Sequence, residues 1–373
     1  MKELFEIIIK HFIDYEFIYV FLFCSLIFLI SAIYIKNKFL RIINIILFSV
    51  FFGLFLFEFV LSFQMDKFEF SKPYEYIFSE SKYIYIKHKV YVEDKHGNKR
   101  RYGFENELDK EKFLNKKEYN KIYDVTCSVR EDSFRYTKGN SLSKKTCVFL
   151  GCSFTFGDGL NDDETLPYYF SKLMNFQFNI INLGGLGNGA NLAINILNND
   201  VIYKYTEKDA NKYFVYSLIQ PNESRPFELQ RYGGSDNWIY KDNKWFETSS
   251  IQPFAKIKVC FARSFIFRKI FLAVIDKCNK EFYTRYLIGS LKEINRTVEQ
   301  KYNSKLTIII WPKVEEQIIN ELTNEKIDII ILPKYLTDIQ YKIPYDEHPT
   351  AKTNEEIAKI LYEHIKNSQE KLW

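Results

Sequence analysis

The chain has 373 residues, enough for one large domain or two small ones, and 47% of its residues are hydrophobic and 18% aromatic. The formal net charge of +5 is mild and forms no concentrated basic stripe, which argues against nucleic-acid binding. Six cysteines at wide, irregular spacing without a Cys-x-x-Cys pair argue against a disulfide framework and a zinc knuckle, while a single disulfide stays open. We therefore expect neither a metal nor a cofactor.

Two apolar runs near the N-terminus predict a membrane anchor. Residues 17–35 carry no charge, and residues 42–63 are interrupted only by Glu58. Each run is long enough to cross a bilayer as a helix, so residues 1–64 are predicted to hold two transmembrane helices. The link between them contains Lys36, Lys38 and Arg41 and no acid. The positive-inside rule puts this link in the cytoplasm, which predicts a multi-pass protein of the cytoplasmic membrane whose remaining residues are extracytoplasmic, on the periplasmic or outer face.

Residues 65–140 are predicted to be a connecting, β-containing region. Residues 83–92 have the alternation and the β-rich composition of a strand. The densest basic cluster after the anchor is Lys99, Arg100 and Arg101. We interpret it as a solvated turn, with lipid headgroups or an anionic glycan as alternative ligands.

Residues 141–373 are predicted to form a three-layer α/β/α domain with a mostly parallel five-stranded sheet. Short apolar runs at 146–150, 178–183, 213–219, 306–311 and 327–332 alternate with helical patterns at 166–174, 314–322 and 354–365. Continuous apolar runs are typical of strands that are buried on both faces. A long insertion at about 223–300 is rich in aromatics and arginine and is expected to be helical near 270–294.

Polar and glycine residues follow the predicted strands at the sheet edge where ligands bind in such folds. Ser153 follows the first strand, a glycine turn containing Gly187 follows the second, and Asn222 follows the third. Asp346 and His348 follow the fifth. A hydroxyl, a glycine turn, an amide, and an acid with an imidazole are the groups that nucleophilic acyl transfer requires.

These residues resemble, in chain order, the sequence blocks of the SGNH/GDSL hydrolase superfamily. The first block is matched by Gly-Cys-Ser-Phe-Thr-Phe-Gly at 151–157, and the resemblance covers roughly residues 145–365. It implies the SGNH/flavodoxin-like fold. Cys152 stands where the family usually has Asp, Gln220 where it usually has Gly, and Asp346 and His348 are spaced Asp-x-His rather than the commoner Asp-x-x-His.

The resemblance implies a role for each matched residue. Ser153 would attack an ester carbonyl, His348 would take its proton, and Asp346 would orient the imidazole. The backbone N–H groups of Ser153 and Gly187 and the side-chain amide of Asn222 would form the oxyanion hole. The predicted protein is a membrane-anchored serine esterase or O-acyl(acetyl)transferase that acts on an extracytoplasmic glycan or lipid-linked glycan, with a membrane acyltransferase as a candidate partner.

Several alternatives stay open at this point. Taken alone, Ser153 could be a helix N-cap, Asn222 a turn residue, and Cys152 the nucleophile. The departures from the family blocks also allow a catalytically inactive SGNH-fold protein that binds glycan or acts as a scaffold in an envelope assembly. A lipid-directed lipase or thioesterase is the third alternative, because the aromatic insertion could line an acyl groove.

Overall fold

The computed structural model describes residues 16–62, 84–94, 99–115, 119–130, 134–187, 189–220, 238–241, 244–247, 277 and 280–368. The chain divides into two compact units. One contains Met1–Ser71 with Ser249–Glu281, and the other contains Lys72–Thr248 with Phe282–Trp373. The predicted oxyanion residue Asn222 lies outside the described residues, as does most of the predicted insertion.

Two helices make up the described N-terminal part of the first unit, α1 (Glu16–Tyr34) and α2 (Lys38–Ser62). They pack against each other, with the rings of Phe28 and Phe51 5.4 Å apart. Both predicted apolar runs are therefore helical. On length and composition, one of the described helices could cross a membrane, over Lys38–Leu56, whereas the apolar part of α1, Leu22–Tyr34, is shorter. One candidate span thus stands where the sequence predicts two.

The second unit begins with a small antiparallel sheet. Its central strand β1 (Ile84–Glu93) pairs with β2 (Lys99–Phe104) on one side and β3 (Asn120–Arg130) on the other. The helix α3 (Glu107–Asn115) connects β2 to β3. The basic cluster at 99–101 lies in β2, so its interpretation as a turn is wrong. Pairing with β1 fixes these residues as a strand, a constraint that their charge does not reveal.

A parallel sheet forms the centre of the second unit. The remaining strands are β4 (Lys145–Gly151), β5 (Asn179–Gly184), β6 (Asn211–Leu218), the hairpin strands β7 (Trp238–Lys241) and β8 (Lys244–Glu247), β9 (Lys305–Ile310) and β10 (Asp328–Ile331). Five of them pair in the order β5-β4-β6-β9-β10, all parallel. The predicted five-stranded parallel sheet is confirmed, with strand ends within about two residues of those predicted.

Helices cover both faces of this sheet. They are α4 (Ser153–Phe156), α5 (Leu166–Leu173), α6 (Ala190–Asn198), α7 (Lys280–Tyr302), α8 (Glu316–Asn324) and α9 (Ala351–Asn367). One apolar cluster joins the sheet to α6, α7 and α8, and a second joins it to α5 and α9. Along β4, Val148 belongs to the first cluster and Phe149 to the second. Burial on both faces explains why the strands read as continuous apolar runs.

The strand order determines where a ligand can bind. The chain passes from β4 outward to β5 and then returns to the other side of β4 to form β6. Connections that leave a strand in opposite directions open a crevice at its carboxyl end. The crevice therefore lies beside Gly151, the last residue of β4.

A buried arginine joins the polypeptide after β3 to the segment that follows α4. Arg135 is 1% exposed. Its Nη1 donates to the carbonyls of Phe156 and Gly157, its Nη2 to the carbonyl of Leu160 at 2.7 Å, and its Nε to Asp162 Oδ1 at 3.1 Å. These carbonyls lie at and beyond the end of α4, where helical hydrogen bonding leaves acceptors unsatisfied. Arg135 therefore fixes the exit from this helix.

We expect Arg135→Met to lower the free energy of unfolding by about 2–4 kcal/mol, because it leaves several buried carbonyls without their donor and removes the cation that pairs with Asp162, which then keeps the hydrogen bond from Ser128 N. Urea titration of the full chain in detergent measures the change. Arg296→Met is the matched control, since Arg296 is exposed and pairs with Glu293 within its own helix; its cost should stay within about 0.5 kcal/mol. Equal costs for the two variants would contradict the role of Arg135.

Candidate active site

Ser153 lies on a tight turn between β4 and α4. Gly151 ends the strand with a φ of 145°, Cys152 is the extended N-cap residue, and Ser153 is the first residue of the helix. A side chain at Gly151 would collide with Thr155 and Ser217. The turn therefore requires a glycine there, and it presents Ser153, which is 5% exposed, beside the crevice.

The neighbouring strand β5 packs directly against this turn. The N–H of Gly185 donates to Gly151 O at 3.0 Å, and the buried Asn182 amide donates to Thr155 O at 3.0 Å. A Cβ added at Gly184 would lie 2.8 Å from the carbonyl carbon of Thr155 and closer still to Phe156 N. Gly184 and Asn182 thus hold α4 in place. Sequence reasoning assigned neither a role, although a polar residue inside an apolar strand run was a signal.

The structure brings Ser153, His348 and Asp346 together although 195 residues separate the first two. His348 Nε2 lies 2.8 Å from Ser153 Oγ, and His348 Nδ1 lies 2.7 Å from Asp346 Oδ1. Both distances are those of hydrogen bonds. With Nδ1 donating to the carboxylate, Nε2 is free to accept the proton of the serine hydroxyl. The three side chains therefore form a continuous hydrogen-bonded chain.

Asp346 and His348 lie on a strained turn that precedes α9. The flanking residues Tyr345 and Glu347 have φ values of 62° and 60°, in the left-handed region that non-glycine residues rarely adopt. The turn is closed by hydrogen bonds from Ile343 N to His348 O at 2.8 Å and from Asp346 N to Ile343 O at 3.1 Å. This backbone brings the acid and the imidazole into contact at a spacing of only two residues.

The carboxylate of Asp346 is fully buried and has a second ionic partner. Its Oδ1 also accepts a hydrogen bond from Arg101 Nη2 of the small sheet. Its Oδ2 is buried, and within the described part of the chain it has no hydrogen-bond partner. The sequence marks Arg101 only as part of a basic cluster, and its contact with Asp346 could not be predicted, because only the folded chain brings residue 101 to residue 346.

A second acid lies close to the imidazole. Asp158 follows α4 and is 9% exposed, and its Oδ1 lies 2.7 Å from Lys89 Nζ. Burial alone would raise the pKa of Asp158, but attraction to Lys89, the hydrogen bond from it, and smaller contributions from His348 and Arg101 outweigh burial and lower the pKa. Asp158 therefore remains a carboxylate near the site.

The cleft beside Ser153 has a volume of about 350 Å³. Its described lining is largely apolar and includes Phe154, Leu186, Ile219, Trp311 and Leu336. The rings of Phe154 and Trp311 meet edge to face at 4.8 Å, and Trp311 Nε1 donates to Ser217 Oγ at 2.8 Å. An apolar wall thus lies beside the turn that carries Ser153.

The predicted oxyanion residues are only partly described. Gly187 lines the cleft together with Ser153 and has a φ of 73°, a conformation that favours glycine. Gln220, at the end of β6, also lines it, whereas Asn222 lies outside the described residues. Cys152 is fully buried and packs in the apolar cluster under α5 and α9. Among the described residues, no group of His, Cys, Asp and Glu has the arrangement of a metal site.

No protein-family model and no curated protein matches the sequence. Solved structures that match include TesA, at 12% identity and a TM-score of 0.37, with 60% of this chain and 98% of TesA covered. Another comes from Desulfitobacterium hafniense DCB-2 and is described as a lipolytic protein of the G-D-S-L family; it is 11% identical with a TM-score of 0.29, and 59% of this chain and 98% of that protein are covered. Both likenesses are distant, so function has to be inferred from the geometry of the site.

We expect Gly184→Ala to cost about 1–3 kcal/mol of stability, because the added methyl group must displace the backbone of Thr155 and Phe156. Thermal and urea unfolding measure the loss. Gly289→Ala is the control: nothing lies within 4 Å of its added Cβ, and alanine should stabilise this exposed helical position by up to about 1 kcal/mol. A Gly184→Ala variant as stable as wild type would contradict the tight packing of β5 against α4.

Proposed function

We propose that the chain is a serine ester hydrolase or acyltransferase of the SGNH/GDSL type, with Ser153, His348 and Asp346 as its catalytic residues. The observation that carries this proposal is the hydrogen-bonded chain from Ser153 Oγ through the His348 ring to Asp346, with distances of 2.8 and 2.7 Å. A nucleophile within reach of a base that is itself oriented by a third group is the arrangement that activates a serine hydroxyl.

In the first half of the reaction, Ser153 Oγ attacks the ester carbonyl carbon while His348 Nε2 takes the hydroxyl proton. Asp346 stabilises the imidazolium that forms and keeps Nδ1 as the donor. Collapse of the tetrahedral intermediate breaks the bond to the alcohol, which leaves with the proton from His348. The acyl group is then bound to Ser153 as an ester.

The developing oxyanion requires donors near Ser153. Ser153 opens α4, so its N–H has no acceptor within that helix. Gly187 lines the same cleft, and its N–H is the second proposed donor. The Asn222 amide is the third, by its position after β6. Removing one such donor typically slows turnover by about 10²–10³-fold.

The second half of the reaction decides between hydrolysis and transfer. His348 takes the proton of the attacking hydroxyl, the bond between the acyl carbon and Ser153 Oγ breaks, and the proton passes to Ser153 Oγ. Attack by water gives an esterase, whereas attack by a sugar hydroxyl gives an O-acyltransferase. We propose that the acceptor or donor is an extracytoplasmic glycan or lipid-linked glycan and that the acyl group is short, such as acetyl. The proposed chemistry uses only groups of the protein, so no cofactor is included.

Two observations support a membrane location. Large apolar side chains on α1 and α2 are exposed, among them Phe23, Ile30, Ile33, Phe39 and Ile46. Contiguous apolar surface of this kind is typical of contact with lipid or protein. The three cations of the link between the helices favour a cytoplasmic link, which would give the catalytic residues an extracytoplasmic position.

The apolar lining of the cleft supports a second candidate function, a lipid-directed lipase or thioesterase. A volume of about 350 Å³ is at the lower end of small-molecule sites, about 300–1,000 Å³. It leaves room for more than an acetyl group, and Leu186, Ile219 and Leu336 could contact a longer acyl chain. Acyl-chain preference therefore separates the two candidates.

We expect Ser153→Ala to lower p-nitrophenyl acetate hydrolysis by the full chain in detergent at least about 10³-fold and to abolish labelling by a fluorophosphonate probe. Cys152→Ala is the matched control at the adjacent position. Since Cys152 is buried behind the turn, this variant should keep its labelling.

Three results would contradict the catalytic assignment. Equal labelling of Ser153→Ala and wild type would exclude Ser153 as the nucleophile, and loss of labelling in Cys152→Ala alone would favour the thiol. No labelling of wild type, together with full cellular function in a Ser153→Ala/His348→Ala strain, would favour the inactive glycan-binding or scaffold protein.

We expect a series of p-nitrophenyl esters to distinguish the substrates. If the cleft binds the acyl chain, kcat/KM should rise about fourfold for each added methylene up to or beyond about C8, because each buried methylene contributes about 0.8 kcal/mol. Leu186→Asn should reduce this gain, and Leu142→Asn, at a 92% exposed position outside the described lining, should not. A preference for acetyl would instead support the glycan esterase.

A further inference from the structure

One face of the small antiparallel sheet is directed at the turn that carries Asp346 and His348, which we call the catalytic turn. Tyr91 of β1 lies opposite Arg101 of β2 and Tyr123 of β3, and Lys89 and Lys99 lie two residues away from Tyr91 and Arg101 along their strands. Residues directly opposite each other, and residues two apart along a strand, share a face. We call these five residues the buttress face.

The buttress face contacts the turn that carries the acid and the base. Arg101 Nη2 donates to Asp346 Oδ1. The hydroxyl of Tyr91 donates to the carbonyl of Tyr345 at 3.3 Å, and Lys99 Nζ lies 4.2 Å from the centre of the Tyr345 ring. Three side chains of the sheet therefore hold two consecutive residues of the turn, next to His348.

The buttress face also contacts the segment after α4, the helix that begins with Ser153. Lys89 Nζ lies 2.7 Å from Asp158 Oδ1, and Arg101 Nη1 lies 4.0 Å from Asp158 Oδ2. Arg101 thus faces both Asp346 and Asp158. Its guanidinium carbon Cζ also lies over the Tyr91 ring, 5.2 Å from the ring centre, a cation–π contact that restricts the orientation of the side chain.

The catalytic turn needs support from outside. It has no helix or strand of its own, and Tyr345 and Glu347 on either side of Asp346 adopt left-handed backbone conformations. Such conformations persist only where surrounding contacts hold them. A buried carboxylate also requires compensating charge and hydrogen bonds. Arg101 supplies both to Asp346.

We propose that Arg101 is a positioning residue of the catalytic triad, which acts through Asp346, and that the small sheet is an integral part of the active site. This inference rests on the proposed function. Arg101 fixes the carboxylate against His348 and, as a cation, offsets part of the negative charge that favours the imidazolium. The small sheet lies in the region that the sequence predicts to be a connection, and through Arg101 it sets the geometry and the charge around the proposed base, His348.

The charges around the imidazole determine the expected pH effect. Asp346 and Glu347 lie on its own turn, Asp158 approaches from the segment after α4, Arg101 approaches from β2, and Lys89 and Tyr123 lie against Asp158 from β1 and β3. Burial, followed by the charges of Asp158 and Asp346, raises the pKa of Tyr123, so it stays neutral. Lys342 pairs with Glu347, and Lys99 lies over the Tyr345 ring. Removing Arg101 takes away the cation that is paired with Asp346, while Asp158 keeps Lys89. The positive charge close to the imidazole falls, which makes the protonated ring more favourable.

The test compares Arg101→Met, Arg101→Lys and the control Arg100→Met in the full chain in detergent. Arg100 is the exposed neighbour in β2, and its side chain projects from the opposite face. In Arg101→Met we expect kcat on p-nitrophenyl acetate to fall about 10–100-fold while KM changes less than about threefold, because the base is misplaced rather than the substrate.

The pH profile separates the effect of charge from that of geometry. We expect the acid limb of the kcat/KM profile of Arg101→Met to move about half a unit to one unit toward higher pH. This shift is smaller than the one that loss of a fully buried neighbouring charge would cause, because the Arg101 side chain is 43% exposed. Arg101→Lys keeps the charge but loses the planar fork. Its acid limb should stay near that of wild type while kcat is restored only in part. Arg100→Met should match wild type in both quantities.

Hydrogen exchange tests the positioning without any turnover. In Arg101→Met the amides of Ile343 and Asp346, which close the catalytic turn, should exchange faster than in wild type and in Arg100→Met.

The failure of the proposed function and the failure of this inference can be told apart. If Ser153→Ala keeps full activity, the proposed function fails, but hydrogen exchange still reports whether Arg101 holds the turn. Unchanged exchange with a superimposable pH profile in Arg101→Met would overturn the inference, as would equal effects of Arg100→Met. If Arg101→Met does not fold, Arg101→Lys decides: wild-type kcat would overturn the inference, and a lowered kcat with an unmoved acid limb would support it.

Discussion

The arrangement of the second unit depends on one buried carboxylate, that of Asp346. A carboxylate without exposed surface is costly unless ionic or hydrogen-bonding partners offset its loss of hydration. Its Oδ1 accepts hydrogen bonds from both the His348 ring and the Arg101 guanidinium. The first contact orients the imidazole toward Ser153, and the second ties the small antiparallel sheet to the α/β sheet. One acid thus links the proposed chemistry to the packing of two sheets.

The strand order explains why such an acid can meet a serine so far away in the chain. Because β4 lies between β5 and β6, the polypeptides that leave these three strands meet at one edge of the sheet. Gly151 and Gly184 have no side chains, so the turn with Ser153 can lie against the end of β5. The segment between β10 and α9 then returns Asp346 and His348 to the same edge. The crevice follows from topology, and its reactivity follows from the side chains that the loops bring there.

The parts of this arrangement that local patterns encode could be predicted from the sequence. Apolar runs such as 306–311 mark buried strands because both faces of the sheet are covered, and the order of Ser153, Asp346 and His348 along the chain matches a known set of blocks. The contribution of Arg101 could not be predicted in this way. Its role depends on a strand pairing and on an ion pair across 245 residues, and three adjacent cations have the same local pattern as a solvated turn. Asn182, inside an apolar run, was recognisable as unusual, but its acceptor, Thr155 O, becomes apparent only in the folded chain.

The departure at position 152 weighs less against catalysis than the sequence alone suggests. The Cys152 side chain is fully buried in the apolar cluster under α5 and α9, and it is not among the described residues that line the cleft. The residue at position 152 therefore contributes no side chain to the described lining of the cleft. The negative charge near the imidazole comes instead from Asp346 and Asp158, which Arg101 and Lys89 hold in place. The proposed acyl transfer thus depends on Ser153, His348 and the two ion pairs formed with the small sheet, Asp346 with Arg101 and Asp158 with Lys89, whereas Cys152 packs the turn from behind.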